Sequence, residues 1–279
     1  MAKIASSLRR MLACKRAVSP IIATILLLGI IVTGISFVYF LGIPIITRMQ
    51  DTSMIRRVEN SMLLLGDNIL TVVNEGHGSE RITQFSYGKG TLMIDPNFAT
   101  INFKLLNNTV VLNETEQTLG KVEYSVDTLS NIIASDSSLY VRGWNWNVVN
   151  GTQGEPNTDL TRIKMERIGP ALVNLILDFR SRLFNYTDPS GNIYIKINIV
   201  KLTVNPSLGS GIGPGTFSFA SVNQDVTVTN YDYAFGSSST FSISASQAGV
   251  VQNAFSCTVG AGTTVNVEFL MTEVEVGIV

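Results

Sequence analysis

The sequence predicts an α+β protein: a long N-terminal α-helix, transmembrane in its first half and amphipathic in its second, followed by an all-β, sandwich-like outer domain. Three observations carry this. Residues 17–47 contain no Asp, Glu, Lys or Arg, a stretch longer than the roughly 20 residues that cross a bilayer core. Apolar residues then fall at Ile55, Val58, Met62, Leu65, Ile69 and Val72, alternating steps of three and four among charged neighbours, as on one face of a water-exposed helix. From Glu80 onward the apolar period falls to two, the period of half-buried strands.

The chain opens with a basic leader. Residues 1–17 carry Lys3, Arg9, Arg10, Lys15 and Arg16 and no acid. Ser19 is a good N-cap, and Pro20 suits the first helical position, where its missing N–H has no helical acceptor to reach. Helix is therefore expected from Pro20, directly after the basic residues. Positive charge before the apolar span orients the leader to the cytoplasm and everything beyond about Thr47 outside. The span exceeds the 7–15-residue apolar region of an ordinary secretory signal and has no small-x-small site at its end. Leu12-Ala13-Cys14 hints at a lipoprotein signal, but there the apolar region precedes the cysteine, whereas here it follows. An uncleaved N-terminal anchor is a further reading.

Gly42-Ile43-Pro44 interrupts the apolar run, and a proline inside a helix removes one hydrogen bond. A kink or loosened turn is expected at Gly42 and Pro44, with helix resuming afterwards. The seam from Ile55 to Val72 has two readings. It packs on the chain's own globular domain, the favoured one, or it meets helices of neighbouring subunits. Glu75-Gly76-His77-Gly78 should end the helix, since glycine is favoured just past a C-terminus. The organisation expected is thus a leader at 1–17, a membrane or filament-core helix at 18–47, its amphipathic extension at 48–76 and a β domain at 77–279. The Gly-rich stretch 205–215 is a candidate boundary inside the last.

Within the β region, Ile101, Phe103 and Leu105 alternate with polar residues, as do Val122, Tyr124 and Val126. The clearest strand sets Ile193, Ile195, Ile197 and Ile199 on one face. Val265, Val267, Phe269 and Met271 form another face, and after Thr272 the apolar parity shifts to Val274, Val276 and Ile278, which suggests a β-bulge. Turn signals lie at Asp95-Pro96-Asn97, Asn107-Asn108, Asp188–Asn192 and Gly236-Ser237. Leu172–Leu183 fits helix or strand by pattern and reads as strand, because it would pair with Ile193–Leu202 as a hairpin across the Asp188–Asn192 turn. Many short strands with frequent turns read as a sandwich.

Composition narrows the function classes. The net charge is −1; without the leader's five positive charges it becomes −6, which gives no nucleic-acid footprint. No Lys or Arg follows Lys201. The cysteines are Cys14 and Cys257, so no disulfide framework is expected, and Cys257 reads as a small buried hydrophobe. One histidine, His77, in a glycine turn, cannot build a zinc site. No phosphate loop, dinucleotide fingerprint or EF-hand is present. Neither cofactor nor metal is expected, and the chain does not read as an enzyme. Four sequons place candidate glycosylation acceptors at Asn107, Asn113, Asn150 and Asn185, all on the expected outer side; their number is about what chance gives. Trp144 and Trp146 read as core or edge packing of an alternating strand pair, with stacking on sugars of a surface ligand as the alternative.

The order of basic residues, a small residue, Val-Ser-Pro and then an aliphatic helix, over roughly residues 10–47, resembles the archaeal type IV pilin and archaellin-like families with their class III signal peptides. The resemblance implies that a prepilin peptidase cuts between Ala17 and Val18, with Arg16 or Lys15 as the basic residue before the cut and Ser19-Pro20 matching the Ser-Pro common in archaeal pilins. Bacterial pilins usually have glutamate at the fifth mature position, here Ile22; many archaeal pilins also lack it. The implied function is a structural pilin, minor pilin or pseudopilin of a surface filament. Its partners would be the membrane, other copies or other pilins through the helix, and the peptidase. It would lie in the cell membrane before assembly and in a cell-surface filament afterwards. The alternative is a non-polymerising membrane-anchored surface protein, an adhesin or binding module, with the leader retained.

Overall fold

A computed structural model describes residues 20–151, 159–204 and 212–279. The leader and its junction, Arg16, Ala17, Val18 and Ser19, lie outside the described residues, as does most of the 205–215 stretch. One helix, α1 (Pro20–Glu75), is followed by β-structure, the α+β arrangement expected. The chain divides into two compact units, Met1–Gln50 and Asp51–Val279.

In the first unit the helix runs without a break through Gly42 and Pro44. Two threonines fold their hydroxyls back onto the helix, Thr33 onto Gly29 O at 2.7 Å and Thr47 onto Ile43 O at 3.0 Å, which satisfies polar groups on an otherwise apolar rod.

In the second unit, thirteen strands among the described residues form two sheets. The first has the order β1 (Glu80–Tyr87), β10 (Gly215–Ala234), β13 (Thr264–Ile278), β9 (Ile193–Val204), β8 (Ser181–Thr187), β5 (Val148–Asn150). The second has the order β12 (Val250–Val259), β11 (Ser239–Gln247), β2 (Thr91–Asn107), β3 (Val110–Asp127), β7 (Leu172–Phe179), β6 (Thr161–Ile168), β4 (Ser138–Arg142). Most pairs are antiparallel; β13–β9 and β5–β8 are parallel. The Gln252 side chain links an edge of each sheet. Its Oε1 accepts from Asn147 N and Val148 N at 3.1 Å each, and its Nε2 donates to Val148 O at 2.8 Å.

Two cores result. In one, Ile55, Val58, Met62, Leu65, Ile69 and Val72 of α1 pack with Phe85, Tyr124, Leu175, Leu177, Leu202, Phe219 and Val274, drawn from both sheets. All six helix residues are 0–1% exposed, so the seam is spent on the chain's own domain. The other core contains no helix residue: Ile101, Phe103, Phe241 and Ile243 of one sheet meet Ile195, Ile197, Val267 and Phe269 of the other, with Phe103 and Phe269 edge to face at 5.5 Å. Between the cores the sheets touch directly. A Cβ on Gly120 would stand 2.6 Å from Leu202 O, so only glycine fits there.

The helix ends where glycine takes over. Gly76 adopts φ +92° and its N–H donates to Val72 O at 3.3 Å, a left-handed C-terminal cap. Ser79 Oγ and Asn223 Nδ2 donate to the same Val72 carbonyl, at 2.8 and 3.3 Å.

Several expectations need correction. Leu172–Leu183 is extended but is not one strand. It divides at Arg180 into β7 and β8, which belong to different sheets, and the hairpin to β9 is made by β8, with Thr187 opposite Ile193. The bulge near Thr272 lies on the partner strand: the β10–β13 register slips between Asn223 and Asp225, opposite Val274 and Glu273. Asp95-Pro96-Asn97 separates no strands. It is a register irregularity inside β2, between Asp95 and Ala99, with Asn97 N donating to Asp95 Oδ1 at 3.0 Å; proline fits a bulge because it has no ladder hydrogen bond to lose. Trp144 and Trp146 join neither core, being 50% and 51% exposed between β4 and β5, but the edge packing expected is partly present: the Trp144 ring lies 6.1 Å from that of Tyr140 on the edge strand β4. Cys257 is half-buried against the helix-free core, and that burial pushes its thiol up.

Gly66 sets how closely α1 approaches β6. A Cβ there would lie 2.6 Å from Thr161 Cγ2 and 3.4 Å from Leu177 Cδ1, and Thr161 is fully buried. In an open helix, Gly→Ala stabilises by about 1 kcal/mol; here overpacking of about 1–3 kcal/mol opposes it. Gly66→Ala should therefore lower the melting temperature, and Thr161→Ala added to it should recover much of the loss, a coupling that a double-mutant cycle measures.

Candidate functional surfaces

The first surface is the apolar length of α1. No residue from Ile22 to Gln50 is buried. The span is about 39 Å long from Ile22 to Thr47 at 1.5 Å per residue, against a hydrocarbon core of about 30 Å. Its exposed side chains are aliphatic and aromatic all round: Leu28 is 65% exposed, Ile30 72%, Phe37 66% and Phe40 81%. Mean hydropathy over its most apolar window is 2.4. Such a surface is compatible with membrane anchoring and is costly in water, at about 25 cal/mol per Å² of apolar area. Ile35, Tyr39, Phe40, Ile43 and Pro44 frame a shallow apolar hollow of about 620 Å³ on it.

The second is a polar lock at the start of the second unit. Asp51 accepts from Thr128 Oγ1 at 2.7 Å and from Leu129 N at 3.2 Å, and Lys89 Nζ stands 3.6 Å away. Thr52 and Ser130 share a hydroxyl hydrogen bond of 2.6 Å. The Tyr124 hydroxyl donates to Lys89 O, and burial, with the Tyr87 and Asp51 charges, pushes that phenol well above its ordinary range. Arg167, almost fully buried, donates to Ser130 O at 2.7 Å and Ile133 O at 3.1 Å, and also to Pro170 O. These bonds fix the segment after β3 against the helix residues that open the unit. Further along, Arg142 of β4 reaches Asp67 of α1 and Asp159. Sequence reasoning missed this lock; its one signal was that Asp51 is the first acid after the uncharged run.

The four sequon asparagines are all partly exposed. Asn107 ends β2 with its Oδ1 buried and unpartnered. Asn113 on β3 accepts from Glu114 N at 2.7 Å. Asn150 and Asn185 lie in β5 and β8. They are spread over both sheets and form no common site. His77 is exposed in the turn after α1. Among the described residues no three His, Cys, Asp or Glu side chains are grouped to hold a metal ion.

The chain thus joins a helix whose first half is apolar and unburied, compatible with membrane anchoring, to a β-rich unit of two sheets that takes in the helix's second half. Residues 16–142 match a family described only as a family of unknown function (DUF7289). The match begins at the last basic residue of the leader and stops at the end of β4. No curated protein and no solved structure matches the chain.

Proposed function

We propose that the chain is a structural subunit, a pilin or minor pilin, of an archaeal type IV pilus-like surface filament. The precursor is held in the membrane by α1, with its leader in the cytoplasm and its β unit outside. A prepilin peptidase trims it between Ala17 and Val18, and assembly proceeds through the helix. The observation that carries this reading is the uncharged apolar surface from Ile22 to Thr47, none of it buried, beginning immediately after a basic leader and Ser19-Pro20. Trimming has a physical rationale: it removes five positive charges that would otherwise accompany the helix into an apolar core. Burial of the Ile55–Val72 seam in the chain's own domain leaves residues 22–50 as the helical surface for neighbouring subunits.

The same surface is satisfied by lipid alone, which supports the second reading, a surface β-domain protein with a permanent anchor. Replacing Arg16 and Ala17 together separates the two. A pilin so altered accumulates as an inserted, untrimmed precursor, and labelled filaments disappear from electron micrographs of the cell surface. Unchanged filaments, or an unchanged chain mass, would contradict trimming at this junction.

A further inference from the structure

The outer face of the first sheet carries a groove over the helix-free core. Its floor is two registered rows crossing β8, β9, β13 and β10. The first row is Tyr186, Tyr194, Asn266 and Asp232; the second is Phe184, Lys196, Glu268 and Asn230. The hollow these residues frame, Phe184 excepted, measures about 490 Å³. A separate hollow of about 250 Å³ shares Asp232 and is lined by residues of both sheets, among them Asn107, Leu112 and Tyr233. Four strands at about 4.8 Å spacing make the floor about 14 Å across, the reach of a short oligomer and not of a single small solute.

The lining has an uncommon chemistry. Tyr186 and Tyr194 stack face to face, with centroids 4.8 Å apart and planes within 6°. Each ring covers one face of the other, and Tyr186 is 62% exposed, so the pair still offers aromatic surface to solvent. Beside it, Asn230, Asp232 and Asn266 make no side-chain hydrogen bond among the described residues. They are planar amide and carboxylate groups with free donors and acceptors. The lysine of the groove is neutralised: Lys196 Nζ pairs with Glu268 Oε1 at 2.7 Å. One carboxylate, Asp232, is left over.

We propose that this groove binds a neutral oligosaccharide. An aromatic platform suits the C–H face of a pyranose ring, because the ring's negative face attracts polarised C–H groups while apolar area is covered. Amides and a carboxylate set side by side on neighbouring strands suit vicinal hydroxyls, accepting and donating in pairs. An anionic polymer would meet Asp232 with no free cation lining the groove among the described residues to offset it. The strand rows hold these groups on a rigid sheet and not on loops, so little order has to be imposed on binding. The proposal concerns a ligand site and is independent of whether the chain polymerises.

The test uses the full chain in an amine-oxide micelle free of sugar headgroups. Ligand-observed saturation-transfer spectra and titrations are recorded with linear hexasaccharides of glucose, mannose and N-acetylglucosamine, with polygalacturonate and with tetramethylammonium. At least one neutral hexasaccharide should bind. Tyr186→Ala and Asp232→Ala, both at exposed positions with the melting temperature as a control, should each weaken it tenfold or more, while a Trp144→Ala/Trp146→Ala chain should bind as the parent does. The proposal is overturned if no neutral hexasaccharide binds, if only the polyuronate or the quaternary amine does, if Tyr186→Ala binds normally, or if the tryptophan variant is the one that loses binding.

Discussion

A chain beginning at Asp51 should fold as a cooperative, mostly β unit with a short helix, whereas one beginning at Glu80 should lose its native core. The two differ in residues 51–79, the second half of α1 and its capping turn. That half buries six large apolar side chains to 0–1% exposure among residues from both sheets. At about 1.5–3 kcal/mol per side chain, their burial contributes on the order of 9–18 kcal/mol, as much as the whole net stability of a typical domain, about 5–15 kcal/mol. The shorter chain would also lose Asp51 against Thr128 and Asp67 against Arg142. Thermal melts followed by circular dichroism should show a single transition for the first chain. They should show aggregation or a broad, weak transition for the second, because the exposed core face is a large apolar patch. Equal melting temperatures would mean that the helix contributes nothing to the domain, against the packing described above.

Ile35→Arg should leave the chain in the membrane yet abolish filaments. Ile35 lies near the middle of the uncharged span and is 61% exposed. A central arginine costs about 2.5–3.5 kcal/mol for insertion, which the other apolar residues of the span outweigh; in lipid its guanidinium can also snorkel towards a headgroup. In a core made of packed helices there is no headgroup to reach, and an unpaired charge is far more costly there. Membrane fractionation should find the variant at parental levels, and electron microscopy should find no filaments. Filaments at normal abundance would argue that α1 does not form a filament core.

What the sequence made legible follows from how local each signal is. The seam from Ile55 to Val72 could be read because a helix repeats its buried face every three or four residues, so six residues in one short stretch report one neighbour. Ile193–Ile199 and Val265–Phe269 could be read for the same reason at period two. Leu172–Phe179 could not be: Val173, Leu175 and Leu177 face the core, but Asn174, Ile176 and Asp178 are buried as well, because β7 lies between β3 and β6 and Arg162 closes over Asp178 through bonds of 2.7 and 2.6 Å. With both faces buried there is no alternation to see, and the sheet change at Arg180 leaves no mark. The parity shift at Thr272 was visible, but the slip that accompanies it lies on β10, far away in sequence. The tyrosine groove was invisible altogether, since its rows draw one residue from each of four strands and pairing across strands is a property of register. The exposed tryptophans show the converse: an aromatic pair beside polar residues does not reveal whether a core is near.

Trimming and assembly through the helix are tested most directly by the N-terminal sequence and intact mass of the form recovered from the cell surface. That form should start Val-Ser-Pro at Val18 and have lost all five positive charges of the leader. A surface form that still starts at Met1 or Ala2 would contradict trimming and leave a permanent membrane anchor in its place.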